Sequence, residues 1–300
     1  KPEMAAREDN FKIAERTLGE ASTTSADDLQ LRVAKDNFDR SVMPTAGANK
    51  PVDVPSMWKE SLSNGIEVLG SQSTETPTTS LLLKVKAGNW FEDKTKAGVA
   101  SLMASMLSES TTSRSAEDMS KALQKLGSSV SIYSRNEYLM VNVNALTKNL
   151  VPTLNLVNEK LTQPAFDAAA FNRVKNNAIQ GVKNAKKDAG YLASTAYSQL
   201  LFGDSIKGIP SGGTEETLAN ISLDDVKAFY SAHVKPAQGH LIVVSDLPES
   251  KVKQSLSVFN SWQGKGAELA IDTKPAVHEA GVIYLVNKDN AAQSAIRIGK

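Results

Sequence analysis

The 300-residue chain is 41% apolar and 22% charged with a formal net charge of +1, which suits a folded chain long enough for one large core or two smaller ones. That balance gives no bulk attraction for nucleic acid or an anionic membrane surface. The absence of Cys excludes disulfides, thiolate metal sites and a Cys nucleophile, and no apolar run reaches membrane-spanning length.

Residues 1–40 carry helical spacing. Phe11, Ala14 and Leu18 share a face ahead of Gly19, and Ser25-Ala26-Asp27-Asp28 reads as the capped start of a second short helix. Residues up to Pro55, rich in Gly, Pro and small side chains, read as an extended linker, so 1–55 is expected to be a helical junction plus linker. Gly65 to Gly70 and Ser80 to Ala87 read as strands. Between Ala97 and Glu109, Val99, Leu102, Met103, Met106 and Leu107 fall at i, i+3, i+4, i+7 and i+8, the stripe of a buried helix. Ser101, Ala104 and Ser105 lie beside the stripe.

Ser115 caps a further helix with Met119, Ala122, Leu123 and Leu126 on one face, and Gly127 stops it. Ser129 to Ser134 and Tyr138 to Ala145 alternate around a turn and predict a hairpin. Leu150 to Leu161, Phe171 to Ala185 and Tyr191 to Phe202 predict three helices, followed by a loop over 203–213. Ser222-Leu223-Asp224-Asp225 opens another helix. Leu241 to Val244 is a buried strand, and Val252, Leu256 and Phe259 belong to a last helix. Residues 264–280 read as a linker, and Gly281 to Val286 and Ala295 to Ile298 as two strands that open a second, truncated domain like the first. Strands and helices are grouped rather than alternating. That predicts an α+β fold, a mainly antiparallel sheet with helices packed on one face. The chain starts at Lys1 and stops inside an interrupted strand, so it is expected to be a segment of a longer polypeptide.

The stretch from Lys84 to Thr111, with Gly88-Asn89-Trp90-Phe91-Glu92-Asp93 and Lys96-Ala97-Gly98 ahead of the helix, resembles the active-site region of the pitrilysin/insulinase family of zinc metallopeptidases, the inverzincins. Phe202-Gly203, Ile209-Pro210, Gly213-Thr214, Ile221 to Val226, Phe229-Tyr230, His233 to Pro236 and the strand before Asp246 extend the likeness over about residues 56–263, the inactive peptidase-like domain. In that family the helix carries H-x-x-E-H: two His hold zinc from one face and the Glu works on the metal-bound water. Here those positions read Ser101, Ala104 and Ser105. The family's third ligand is a Glu on the helix corresponding to Ala168 to Lys187, a run without a carboxylate.

The other candidates read as structural. His233 ends a helix, His240 opens a strand and His278 sits in a linker, with no pair at ligand spacing. Gly208 to Thr214 lacks the Gly-Lys-Ser/Thr ending of a phosphate loop. Lys175, Lys183, Lys186 and Lys187 make a basic helix face without interleaved aromatics, and Asn220-Ile221-Ser222 is a chance glycosylation sequon. No catalytic, cofactor-binding or metal-binding residue is therefore assigned.

The resemblance implies the non-catalytic half of a two-half zinc peptidase, inactive alone and walling a peptide-binding chamber, with zinc in a catalytic half upstream or on a partner subunit. Its partners would be that half and a peptide substrate, with no nucleic acid and no membrane span. The alternative is a structural subunit without substrate. Exported bacterial relatives imply a periplasmic location.

Overall fold

Burial alternates along most strands of the sheet, and that alternation gives it one dry face and one wet face. The computed structural model describes residues 39, 41–49, 54–266, 282–289, 291 and 293–299. The chain divides into two units, Lys1–Val52 and Asp53–Lys300. In the first, residues 39 and 41–49 are exposed and lie outside helix and strand; the helices expected before residue 37 fall outside the described residues.

In the second unit, β1 (Met57–Ser61), β2 (Glu67–Gln72), β3 (Thr78–Val85), β4 (Ser129–Arg135), β5 (Tyr138–Leu146) and β6 (Gly239–Ser245) form one sheet. Its order is β1-β2-β6-β3-β5-β4. Only β2 and β6 run parallel; the other pairs are antiparallel. β4 and β5 form the expected hairpin, with Arg135 opposite Tyr138. β6 enters from far along the chain and lies between β2 and β3, with Val243 opposite both Gly70 and Leu81.

The helices are α1 (Val99–Ser108), α2 (Ala116–Lys125), α3 (Leu150–Thr162), α4 (Ala168–Ala185), α5 (Ala189–Phe202), α6 (Glu215–Asn220), α7 (Leu223–His233) and α8 (Glu249–Leu256). α1 is central: it packs against β4, α4 and α7. Its stripe of Val99, Leu102, Met103, Met106 and Leu107 joins Leu81, Leu83, Val141 and Val243 of the sheet in one core. The predicted caps form as well. Ser115 accepts the Asp118 N–H, and Ser222 and Asp225 make a reciprocal capping box.

Two elements go beyond the sequence reading. β1 is a short edge strand with charges in it, and α6 is a six-residue helix inside a turn-rich stretch; neither is long enough to show a period. One expectation is corrected. Residues 282–286 and 295–298 have strand-like sequences but lie in no strand. Strand structure requires a paired backbone, and here Ile283 and Leu285 are 85% and 93% exposed.

Candidate functional site

The site is a cleft of about 300 Å³ over the outward face of α1. α1 contributes Gly98, Ser101, Leu102 and Ser105; α4 contributes Ala178, Gly181, Val182 and Ala185 from across the cleft. Tyr191 of α5, the loop from Pro210 to Gly213 and Leu218 of α6 complete it.

Tight backbone packing sets the floor. Gly98 caps α1 with φ of 101° and has no side chain with which to satisfy the first helical N–H groups. The chain passes the 210–213 loop so closely there that a Cβ on Gly98 would lie 2.9 Å from the Gly212 carbonyl oxygen. Gly213, at φ of 77°, is equally constrained by the Ala97 carbonyl. Thr217 Oγ1 donates to the Ala97 carbonyl oxygen at 2.8 Å and also closes a capping box with Thr214. The Gly208 to Thr214 stretch is thus a packed connection, its last residue the N-cap of α6.

Glu92 supplies the cap that Gly98 lacks. Its carboxylate accepts the Gly98 N–H at 2.9 Å and the Ala100 N–H at 2.7 Å. Burial pushes this carboxyl up to about 8, against the pull of those two hydrogen bonds. The opposite end of α1 meets an amine. Lys160 of α3, 5% exposed, donates to the Ser108 carbonyl oxygen at 3.0 Å, and burial lowers its pKa while Glu109 and Glu159 raise it. The carboxyl accepts N–H groups left free at the helix N-terminus, and the amine donates to carbonyls left free at the C-terminus. The sequence reading missed these two groups. Glu92 was legible in principle, as a carboxylate just ahead of a helix whose own cap is Gly; Lys160 lies 52 residues from Ser108 and left no local signal.

The face of α1 toward the cleft carries no such ionisable group. Ser101, half-buried, donates its hydroxyl proton to the Ser211 carbonyl oxygen at 3.0 Å. Ser105, exposed, donates to the Ser101 carbonyl oxygen at 3.0 Å. Close helix packing is therefore the work of Ala104, 2% exposed, and not of the two serines. Zinc requires imidazole, thiolate or carboxylate donors. Two hydroxyls bonded to carbonyls, with an apolar α4 face opposite, do not fit it. Among the described residues no three His, Asp or Glu side chains converge as metal ligands.

The remaining candidates disperse. His233 Nε2 and Nδ1 sit in a ring that packs on Phe229 at 4.4 Å and Phe91 at 6.2 Å, and burial lowers its pKa. His240 is on the wet face of the sheet, its Nδ1 3.1 Å from Glu67. His278 falls outside the described residues. The α4 lysines bind protein: Lys175 donates to the Ala219 and Ile221 carbonyls, Lys186 pairs with Glu215 at 2.8 Å, and Lys187 reaches Asn184. Lys96 pairs with Asp225 at 2.8 Å and donates to the Asn220 carbonyl. With the Ser222 N–H and hydroxyl, that lysine holds the Asp225 carboxyl down at about 2.

Residues 67–207, which include α1, Glu92 and α4, match the family model described as Insulinase (Peptidase family M16). That segment resembles the insulinase family. The chain is 20% identical to an uncharacterized zinc protease YmxG of Bacillus subtilis, over 79% of this chain and 57% of that protein. It is 24% identical to a protein of Helicobacter pylori named non-peptidase homolog YmxG, over 68% of this chain and 48% of that one. A crystal structure of a peptidase M16 inactive domain from Pseudomonas fluorescens matches with a TM-score of 0.69 and 25% identity, over 74% of this chain and 54% of that one. Two further relatives, each at 22% identity, are named as cytochrome b-c1 complex subunit 1 of Bos taurus and mitochondrial-processing peptidase subunit beta of Rattus norvegicus. The chain spans about half the length of the curated relatives it matches first. No helix among the described residues is long and apolar enough to cross a membrane.

Proposed function

We propose that this insulinase-like chain is the non-catalytic half of a zinc-dependent peptidase and forms a wall of its peptide-binding chamber. The observation that carries the reading is the contrast on α1. The helix keeps its buried stripe and a side-chain partner at each end, while its cleft face offers nothing that holds a metal or moves a proton. A chamber wall needs shape and exclusion of water, and neither needs a metal. β4, at the sheet edge and packed along α1, supplies an open backbone edge on which an extended peptide can add as a strand. Zinc and the general base then belong to a catalytic half, covalently joined or on a partner subunit. The proposed location is the periplasm.

A second reading, a structural subunit without substrate, is supported by the relative named as a subunit of the cytochrome b-c1 complex. One paired experiment separates them: zinc content by elemental analysis, with binding and cleavage of a quenched peptide library. The chamber-wall reading expects binding without zinc and without cleavage. No peptide binding at any concentration favours the structural subunit. Stoichiometric zinc with chelator-sensitive cleavage overturns both.

A further inference from the structure

The sequence contains a single Asn-Gly pair, Asn64-Gly65, in the turn that joins β1 to β2. The fold demands each residue for a separate reason. Gly65 has φ of 93°, and a Cβ there would lie 3.1 Å from Ala237 Cα, so conformation and space both exclude a side chain. Asn64 is 8% exposed. Its Nδ2 donates to the Phe259 carbonyl oxygen at 2.7 Å and to the Trp262 carbonyl oxygen at 3.1 Å. Its Oδ1 accepts the Ile66 N–H at 3.4 Å.

The turn itself needs neither of the bonds from Nδ2, which reach 195 and 198 residues along the chain. They hold the 3-10 helix Ser257–Ser261 and its cap Trp262 against the first hairpin. Phe259 and Trp262 belong to the core. Only a side-chain amide fits this place: two carbonyls require two donated protons, and an N–H requires an acceptor. A carboxylate at position 64 would face both carbonyls with no proton to give.

The same pair is chemically reactive. With no side chain on Gly65 to obstruct it, the Gly65 main-chain nitrogen can bond to Asn64 Cγ. The Cγ–Nδ2 bond breaks, and the proton lost by the Gly65 nitrogen passes through water to Nδ2, which leaves as ammonia. Water then opens the cyclic imide to aspartate or isoaspartate. In the folded chain both reacting groups are occupied. The Gly65 N–H donates to the Leu62 carbonyl oxygen at 2.9 Å, and Nδ2 is held by its two carbonyls. We propose that Asn64-Gly65 is a deamidation site that the fold holds shut, and that conversion of Asn64 irreversibly unlatches residues 257–262 from the β1–β2 hairpin. The reaction then runs at the rate of the open form multiplied by the fraction of molecules in which the latch is open. This assignment does not depend on the chamber reading.

The test follows Asn64 by peptide mass spectrometry in the whole chain at mildly alkaline pH, folded and in urea. Conversion is expected to be at least about tenfold faster in urea. In Asn64→Asp, amides of residues 257–262 are expected to exchange with solvent about tenfold faster, while β3 and β5 amides keep their protection. Aged wild-type chain carrying the converted residue is measured in the same way, and decides the point where the variant folds poorly. Equal rates of conversion folded and in urea overturn the proposal, as does the absence of conversion in both. Unchanged exchange at 257–262 after conversion also overturns it.

Discussion

α1 and α5 border the same cleft, and both are rich in apolar residues, yet they sit in the fold in opposite ways. Seven of the ten residues of α1 are buried; none of the fourteen in α5 is. α1 is gripped at both ends by buried ionisable groups from other elements, Glu92 and Lys160. α5 is capped by its own neighbour Asp188, which accepts the Tyr191 N–H. Apolar composition therefore does not decide burial. What decides it is whether the apolar positions repeat on one stripe that the sheet can cover, as in α1, or are spread around the helix, as in α5.

That contrast is easiest to break in the core. Met103→Ala, at a fully buried position, is expected to cost about 2–5 kcal/mol, whereas Leu200→Ala in α5 should cost about 1 kcal/mol or less. Urea midpoints of the two variants check this; equal losses would mean that α5 is as much a part of the core as α1.

The grip on the two ends of α1 comes next. Lys160→Ala should cost about 1–3 kcal/mol by leaving the last carbonyls of α1 unpaired. Glu92 gives the grip a pH signature. Its folded pKa, raised from 4.5 to about 8, means the folded chain holds a proton that the unfolded chain has released. Its contribution is thus complete below pH 4.5, declines as pH rises to about 8, and is flat above that. Glu92→Gln should remove that slope from a pH series of urea midpoints, at a fixed cost of about 1 kcal/mol for one N–H left without an acceptor. An unchanged slope would show that the helix N-terminus keeps the carboxylate ionised.

Smaller still is the tie between α1's approach and α7. Asp225 is depressed from 3.8 to about 2, so its contribution is present above pH 3.8 and is lost as pH falls toward 2. The pair is partly exposed, so Lys96→Met should cost no more than about 1 kcal/mol near neutral pH and move acid unfolding to higher pH. Smallest is the cleft face: Ser105→Ala should stay within about 0.5 kcal/mol, because its hydroxyl serves only the Ser101 carbonyl. A large loss there would assign the exposed serine a role that its hydrogen bond does not explain.

Much of this protein was legible in its sequence where the controlling interactions are local. The α1 stripe, the Ser115 and Ser222 caps and the β4–β5 hairpin depend on residues within a few positions of one another, and each formed as read. The unsuitable donors at 101, 104 and 105 were equally plain, since a side chain's chemistry is fixed before the chain folds. The strand-like stretch at 282–286 misled because alternation reports what a strand needs, not whether a partner is there to pair with it.

Only the tertiary structure decided the rest. It placed β6 between β2 and β3, brought Lys160 to the end of α1, and set α4 across the cleft from the two serines. These are contacts between residues far apart in the chain, chosen by burial of apolar surface, a force with no direction of its own. Sequence periodicity fixes which face of an element turns inward; which elements then meet is settled only when all the faces are buried together.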